Sequence, residues 1–349
     1  MAVIALIDGE HHPAAVRDAL ERLGRARELS GVVFCGGEEK LPDEPLEELY
    51  GQPVQERPQD ALRRLAGHSD AVVDLADEPV LPPSAKLELA ALALHLGLRY
   101  EAPGLALDPP RYEPVDFAGP KVAVIATGKR TGKTAVACHL AGLLSDDDPL
   151  IVCMGRGGPA RPVVADPHTT LEDLIALAAS LAPGIIIFEG SGSSIPPVQV
   201  DRTVYIVGPG EPEPLSGYGL LRADLVVARE DAVAPPGALR FHLRPEPAEP
   251  LPDAARVALF TTGAETCEGA EPVMVSTNLA RRSALQADLV RAVAERCDVW
   301  LTELKAAAID TVAMRARHEG VRVVFVRNRP VGDGLDEALV SLARDVARS

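Results

Sequence analysis

Residues 121–134 read KVAVIATGKRTGKT, an apolar run that passes directly into a glycine-containing turn and then into a helical pattern. The run Lys121–Ala126 predicts a buried strand, and residues 134–144 predict the helix that follows it. Inward-pointing backbone N–H groups, a helix N-terminus, a lysine and a hydroxyl are what a phosphate chain and its magnesium ion require. The stretch therefore predicts an α/β fold built around a P-loop.

The P-loop residues have separate expected roles. Lys133 is expected to reach the β- and γ-phosphates, and the hydroxyl of Thr134 to bind Mg²⁺. Thr127 stands where the common P-loop pattern has its first glycine. A simple glycine turn between a strand and a helix is the alternative interpretation. The residues predicted to contact the nucleotide are Gly128, Lys129, Arg130, Thr131, Gly132, Lys133, Thr134 and Ala135.

Two further glycine-containing turns follow predicted strands. Arg156 lies in MGRGGP after a strand at 149–153, and Glu189 opens EGSGSS after a strand at 184–188. Ligands of parallel sheets bind beyond the carboxyl ends of the strands. Arg156 is predicted to hold a phosphate by a bidentate fork, unless Gly-Gly-Pro only ends the strand. Glu189 is predicted to be a magnesium-linked acid or a general base, the alternative being a helix-capping or solvated acid.

Strand-like runs alternate with helical patterns along the whole chain, and two more strands of the P-loop segment are predicted at 203–207 and 224–228. A length of 349 residues exceeds what one core normally serves, and with only 3% aromatic residues the cores must be aliphatic. The predicted fold is α/β: a Rossmann-like N-terminal domain (1–117), a P-loop nucleotide-binding domain with a mostly parallel sheet (118–253) and a C-terminal α/β segment (254–349). A Pro-rich, acidic stretch at 231–253 is expected to separate the last two.

Polar residues also follow predicted strands outside the P-loop segment. Each of these clusters is a weak indication of a site when taken alone, and an ordinary surface turn is the alternative. They are Asp8, Glu10 and His11; Asn278, Arg281 and Arg282; Thr302, Glu303, Lys305 and Asp310; and Arg327, Asn328 and Arg329.

Composition excludes several classes of function. A formal net charge of −16 disfavours a general surface for nucleic acid or for anionic membranes. No apolar run approaches the roughly 18–20 residues of a membrane-spanning helix, and the N-terminus does not resemble a signal peptide. We therefore expect a cytoplasmic enzyme whose five scattered cysteines are reduced thiols. ATP is favoured over GTP because the guanine signature Asn-Lys-x-Asp is absent from the sequence.

Five motifs together resemble the cyclic 2,3-diphosphoglycerate synthetase family: LIDGEH, GKRTGKT, MGRGGP, EGSGSSIPPVQVD and TELKAAAID. The likeness runs from residue 3 to about residue 331. It implies an ATP- and Mg²⁺-dependent ligase that closes an intramolecular phosphoanhydride in 2,3-bisphosphoglycerate, and a homodimer is plausible. It also implies catalytic roles for Lys133, Lys129, Arg130, Arg156 and Glu189, and a magnesium site at Thr134 and Glu189.

The chain departs from the family pattern between the second and third glycine turns. Residues 159–183 alone join MGRGGP to FEGSG, where the family carries a much longer insert. If that insert helps to bind the bisphosphoglycerate, this chain holds the substrate differently or acts on another anion. The alternatives are a P-loop kinase or ligase acting on another small anionic metabolite, and a nucleotide-switched regulatory ATPase.

Overall fold

The computed structural model describes residues 1–153, 171–190, 192–303 and 308–345. The chain forms two compact units. Unit 1 comprises Met1–Pro114, Pro197–Gln199 and Glu211–Ala223, and unit 2 comprises Val115–Pro196, Val200–Gly210 and Asp224–Ser349. Each unit has its own β-sheet.

The strands and helices are numbered in chain order. The strands are β1 (Ala2–Ile7), β2 (Glu28–Phe34), β3 (Val54–Gln55), β4 (Ala71–Asp74), β5 (Arg99–Ala102), β6 (Leu105–Leu107), β7 (Lys121–Ala126), β8 (Pro149–Cys153), β9 (Ile185–Glu189), β10 (Arg202–Val207), β11 (Leu225–Arg229), β12 (Leu239–Pro247), β13 (Val257–Phe260), β14 (Pro272–Ser276), β15 (Val299–Glu303) and β16 (Arg322–Val331). The helices are α1 (Pro13–Ala26), α2 (Leu46–Tyr50), α3 (Pro58–Leu65), α4 (Pro83–His95), α5 (Lys133–Leu143), α6 (Leu171–Ser180), α7 (Ser216–Leu221), α8 (Arg282–Ala294), α9 (Met314–Glu319) and α10 (Leu335–Asp345).

Unit 1 is a six-stranded sheet with the order β3-β2-β1-β4-β5-β6. All neighbours are parallel except the last pair, β5 and β6. The central strand β1 is fully buried from Val3 to Ile7, as expected for a strand covered by helices on both faces. The helix α7, which comes from a later part of the chain, packs against α4 of this unit.

Unit 2 is built on a ten-stranded sheet with the order β14-β13-β15-β16-β12-β11-β10-β7-β9-β8. Six strands, β8 to β12 together with β7, run parallel to one another and form what we call the P-loop half-sheet. The other four, β13 to β16, are also mutually parallel and form the C-terminal half-sheet. The mostly parallel α/β architecture predicted from the sequence is confirmed.

One antiparallel pair joins the two half-sheets. In this pair, the β12–β16 ribbon, Leu243 lies opposite Pro330, Pro245 opposite Asn328 and Pro247 opposite Val326. The composition of residues 231–253 predicts a separator, whereas the structure has the strand β12 there. Pro245 and Pro247 argue against a strand when the sequence is considered alone. Both lie outside the part of β12 that pairs with β11, so their missing N–H groups interrupt no hydrogen bonds between these two strands.

The predicted strands of the P-loop half-sheet agree with the structure to within one residue at each end. Their buried side chains form an aliphatic core with α5 and α10, and this core includes Phe241 of β12. Among the described residues, no helix has the length and apolar character needed to cross a bilayer.

The contribution of the β12–β16 ribbon to the stability of the protein can be tested at Phe241. Its side chain is fully buried in the core, whereas Phe325, on the neighbouring strand, is 37% exposed. We expect Phe241→Ala to lower the free energy of unfolding by roughly 3–5 kcal/mol, through lost burial and the cavity that remains. The matched control Phe325→Ala should cost far less. Urea denaturation followed by circular dichroism measures both, and equal losses would contradict this assignment of the core.

Candidate nucleotide site

The P-loop joins the end of β7 to the start of α5. The strand β7 lies between β9 and β10, so the loop lies at the carboxyl edge of the half-sheet with a strand end on either side. Two residues of the loop have left-handed backbone conformations: Arg130 with φ of 63° and Gly132 with φ of 104°. Gly132 immediately precedes α5, where such a conformation strains a residue with a side chain. This chain therefore folds locally as a strand, a tight turn and a helix.

Lys133 is the first residue of α5, and its side chain is buried. Its Nζ donates a hydrogen bond to the carbonyl oxygen of Gly128 at 2.9 Å and another to the carbonyl oxygen of Gly192. The lysine therefore connects the P-loop to the turn that follows β9. A buried ammonium at the start of a helix attracts an anion such as phosphate, because charge-assisted hydrogen bonds are stronger than neutral ones.

Glu189 lies at the end of β9, beside the P-loop. Its carboxylate accepts a hydrogen bond from the hydroxyl of Thr134 at 2.5 Å. Burial raises the pKa of the Glu189 carboxyl, and the Thr134 hydrogen bond and the positive charge of Lys133 oppose part of that rise. A hydroxyl and one carboxylate are a donor set that fits Mg²⁺, which binds one or two protein oxygens together with phosphates and water.

Thr127 replaces a glycine of the common P-loop and has a structural partner. Its hydroxyl oxygen accepts a hydrogen bond at 3.1 Å from the backbone N–H of Gly208, which follows β10. A side chain at position 208 would collide with Thr131, so this contact requires glycine. The pairing of Thr127 with Gly208 was not predicted from the sequence. The only signal was the Gly-Pro-Gly sequence that follows the predicted strand at 203–207.

The remaining predicted residues of the P-loop differ in exposure. Lys129 and Arg130 point to solvent, Gly128 and Thr131 are buried, and Ala135 is half-buried in the first turn of α5. The structure thus brings the predicted Lys133, Thr134 and Glu189 together and leaves two cations at the rim of the loop. Arg156, predicted to hold a phosphate, lies outside the described residues, as does Lys305.

The predicted cluster at the end of β15 has partners within the C-terminal half-sheet. Glu303 is buried and accepts hydrogen bonds from the N–H of Thr262 at 3.1 Å and from its hydroxyl at 2.7 Å. Arg282, at the start of α8, forms an ion pair with Asp310 at 2.5 Å. The structure therefore places polar side chains at the carboxyl ends of β13 and β15.

Two other predicted clusters are held mainly by local hydrogen bonds. Asn278 donates a hydrogen bond to Asp288 at 2.9 Å. In unit 1, Asp8 accepts hydrogen bonds from the N–H groups of Glu10 and His11 and from the His11 ring. The other carboxylate oxygen of Asp8 accepts a hydrogen bond from the N–H of Asp77, which follows β4. Protein groups therefore satisfy the buried carboxylate of Asp8, and this geometry supports a structural role.

Three family models match the chain. They are the N-terminal domain of cyclic 2,3-diphosphoglycerate synthetase over residues 2–108, the P-loop domain over 121–171 and the C-terminal domain over 254–329. Together they cover well over half of the sequence.

Curated relatives match the chain along its whole length. A cyclic 2,3-diphosphoglycerate synthetase of Rubrobacter xylanophilus is 36% identical over 440 aligned positions, covering 100% of this chain and 98% of that protein. One of Thermococcus onnurineus is 32% identical and covers 98% of each chain. Among solved structures, LpxK from Aquifex aeolicus in complex with ATP aligns with 67% of this chain and 90% of its own, at 13% identity and a TM-score of 0.38.

The hydroxyl of Thr127 can be tested by two substitutions. Thr127→Val keeps the shape of the side chain but leaves the N–H of Gly208 without its acceptor, whereas Thr127→Ser keeps the hydroxyl. We expect the valine variant to bind ATP about tenfold more weakly because the P-loop loses its side-chain contact with Gly208. The serine variant should bind nearly as well as the wild type. Calorimetric titration with Mg²⁺ and ATP measures both, and unchanged affinity in the valine variant would refute this role.

Glu189 makes stability depend on pH. Because its folded pKa is raised, the wild type loses stability as the pH rises from the unfolded pKa through the folded one. Glu189→Gln can still accept from Thr134 but carries no charge, so without ligand it should be more stable than the wild type at pH 7. The difference should vanish below about pH 4. Thermal unfolding across pH measures this effect, with Glu271→Gln, at an exposed position, as the control. A constant difference at all pH values would contradict it.

Proposed function

Because this chain belongs to the cyclic 2,3-diphosphoglycerate synthetase family, we propose that it is an ATP-dependent ligase that closes an intramolecular phosphoanhydride in 2,3-bisphosphoglycerate. The observation that carries the proposal is the convergence of Lys133, Thr134 and Glu189 at the ends of β7 and β9. A buried lysine, a hydroxyl and an acid at this position form a site for a nucleoside triphosphate with its metal ion. The activity of the family supplies the substrate.

Phosphoryl transfer depends mostly on positioning and on positive charge. In the proposed reaction, one phosphate of the substrate attacks the γ-phosphorus of ATP in line, and ADP leaves. The neighbouring phosphate then attacks the phosphorus that remains attached to the substrate carbon skeleton, and inorganic phosphate leaves as the ring closes. Both steps exchange one P–O bond for another, so ATP alone drives the ring closure.

The side chains of the P-loop have distinct proposed roles in these steps. Lys133 exchanges its carbonyl partners for the β- and γ-phosphates, and its charge stabilises the transition state. Thr134 and Glu189 hold Mg²⁺, which supplies positive charge to the phosphates when it is bound. Lys129 and Arg130, exposed at the rim, neutralise the incoming substrate phosphates. Arg156 is proposed to join them on the grounds of its motif alone.

The substrate must be bound with a shorter chain than its relatives have. The alignment with the Rubrobacter xylanophilus protein spans 440 positions, whereas this chain has 349 residues, so about 90 aligned positions have no residue here. A kinase or ligase acting on another small anion is the second candidate function, and the shorter chain is the observation that favours it. The cytoplasmic location and the homodimer expected from the sequence stay predictions.

The proposed reaction can be tested directly. We expect the protein with ATP, Mg²⁺ and 2,3-bisphosphoglycerate to yield a species one water lighter than the bisphosphoglycerate, detected by phosphorus NMR and mass spectrometry. Lys133→Ala should lower turnover by about a hundredfold or more, because an electrostatic contact made in the transition state is lost. Arg22→Ala, which removes an exposed cation of α1 in unit 1, should leave the rate unchanged.

Other outcomes of this assay point to the alternatives. ATP turnover that rises with a different anion and gives no cyclic product would favour the second candidate function. Turnover that responds to no small anion would instead favour a regulatory ATPase. Full cyclisation by Lys133→Ala would contradict the proposed role of the P-loop.

A further inference from the structure

The two half-sheets of unit 2 run in opposite directions, and the β12–β16 ribbon is the region where they meet. The strand β12 is parallel to β11 and pairs with it only through Leu239 to Phe241. The strand β16 is parallel to β15 and pairs with it from Arg322 to Val326. Among the strands that the structure describes, the remaining parts of β12 and β16 pair only with each other. This part of the ribbon therefore spans the interval between the P-loop half-sheet and the C-terminal half-sheet.

One face of the ribbon is continuous with the cores of both half-sheets. At the P-loop end, Phe241 and Leu243 of β12 lie against the Cα of Gly132, within about 4 Å of where its side chain would begin. At the other end, Val324 and Val326 of β16 belong to the core of the C-terminal half-sheet. The P-loop and this second core therefore contact the same face of the ribbon.

Asn328 occupies the midpoint of that face. Burial alternates along β16: Val326 and Pro330 are buried, Arg327 and Arg329 are exposed, and Asn328 between them is half-buried. Because side chains alternate between the two faces of a strand, Asn328 lies on the same face as Val326 and Pro330. The polar side chain of Asn328 thus lies between the two apolar cores, where the ribbon passes from one half-sheet to the other.

The amide of Asn328 makes no hydrogen bond in the described part of the chain, whereas its neighbour Arg327 is paired with Glu246 at 2.6 Å. The polar atoms of the Asn328 amide are not among the buried side-chain atoms that lack a partner, so they are open to solvent and a ligand can replace water there. Its donors and its acceptor suit a phosphorylated hydroxy acid, which offers phosphate and carboxylate oxygens to the NH₂ group. The position is therefore suited to substrate binding.

The register shows how far the amide lies from the P-loop. Pro330 is opposite Leu243, which borders Gly132, and Asn328 is two residues further along the same strand. Two residues of a strand span about 6.6 Å, so the backbone of Asn328 lies about that far along the ribbon from Pro330. On its far side, Val326 pairs with Glu303, the buried acid at the end of β15. The substrate would thus lie between the nucleotide and the carboxyl end of β15.

We propose that Asn328 binds the phosphorylated substrate on the ribbon face, beside the P-loop. This inference rests on the proposed function for its choice of substrate. The three polar residues predicted as one cluster at the end of β16 therefore lie on different faces of the ribbon. Asn328 faces the P-loop side of the ribbon, whereas Arg327 and Arg329 lie on the opposite face.

Direct binding tests this inference without relying on turnover. The wild type, Asn328→Ala, Asn328→Asp and Arg329→Ala are titrated with 2,3-bisphosphoglycerate in the presence of Mg²⁺ and a non-hydrolysable ATP analogue. We expect Asn328→Ala to bind the bisphosphoglycerate about tenfold more weakly. Asn328→Asp should bind it more weakly still, because a carboxylate repels phosphate. Arg329→Ala, a neighbour on the opposite face, should match the wild type, and all four should bind the ATP analogue equally.

The outcomes separate this inference from the proposed reaction. Wild-type affinity in Asn328→Ala overturns the inference, and so does an equal loss in Arg329→Ala or a wild type that does not bind the bisphosphoglycerate. If the wild type binds it through Asn328 but forms no cyclic product, the proposed reaction fails and the inference stands. Equal urea midpoints in all four proteins exclude misfolding as the cause of a weaker binding.

Discussion

The antiparallel pairing of β12 with β16 is the contact on which the architecture of unit 2 depends. Parallel strands can be added to either half-sheet by helical crossovers, but a change of direction needs one antiparallel pair. That pair makes a single ten-stranded sheet from two parallel ones. Between the two half-sheets, a short stretch of the described sheet consists of β12 and β16 alone. The P-loop lies at one end of this stretch and the buried Glu303 at the other.

The nucleotide site contains two buried ionisable side chains, Lys133 and Glu189. The carbonyl oxygen of Gly128 accepts a hydrogen bond from the lysine, and the hydroxyl of Thr134 donates one to the acid. Removing charged groups from water costs free energy unless ligands or partners replace the water. In the proposed reaction, a triphosphate with Mg²⁺ would replace it for both groups at once. The raised pKa of Glu189 is the sign that the protein alone does not fully solvate its carboxylate.

The sequence predicts the P-loop half-sheet well because its strands are apolar runs that end in glycine turns, and both signals are local. It also predicts that Lys133, Thr134 and Glu189 meet, because β7 and β9 carry their polar residues at the same end. It does not predict β12, whose identity as a strand comes from its partner β16 in the final fold and not from its own composition. The pairing of Thr127 with Gly208 escapes sequence analysis for the same reason, since it joins residues 81 positions apart.

The shorter length of the chain leaves its scaffold intact. The alignment with the Rubrobacter xylanophilus protein covers 100% of this chain and 98% of that one, so the unmatched positions must be internal and not terminal. The ten strands of unit 2 nevertheless pair continuously from β14 to β8. A segment that can be lost without interrupting this sheet contributes little to the position of the P-loop, which depends on β7, β9 and β10. If the lost segment touched substrate in longer relatives, the remaining contacts in this chain must come from side chains that the sheet itself positions. The ribbon face, fixed by backbone pairing on both strands, is the surface best able to supply them.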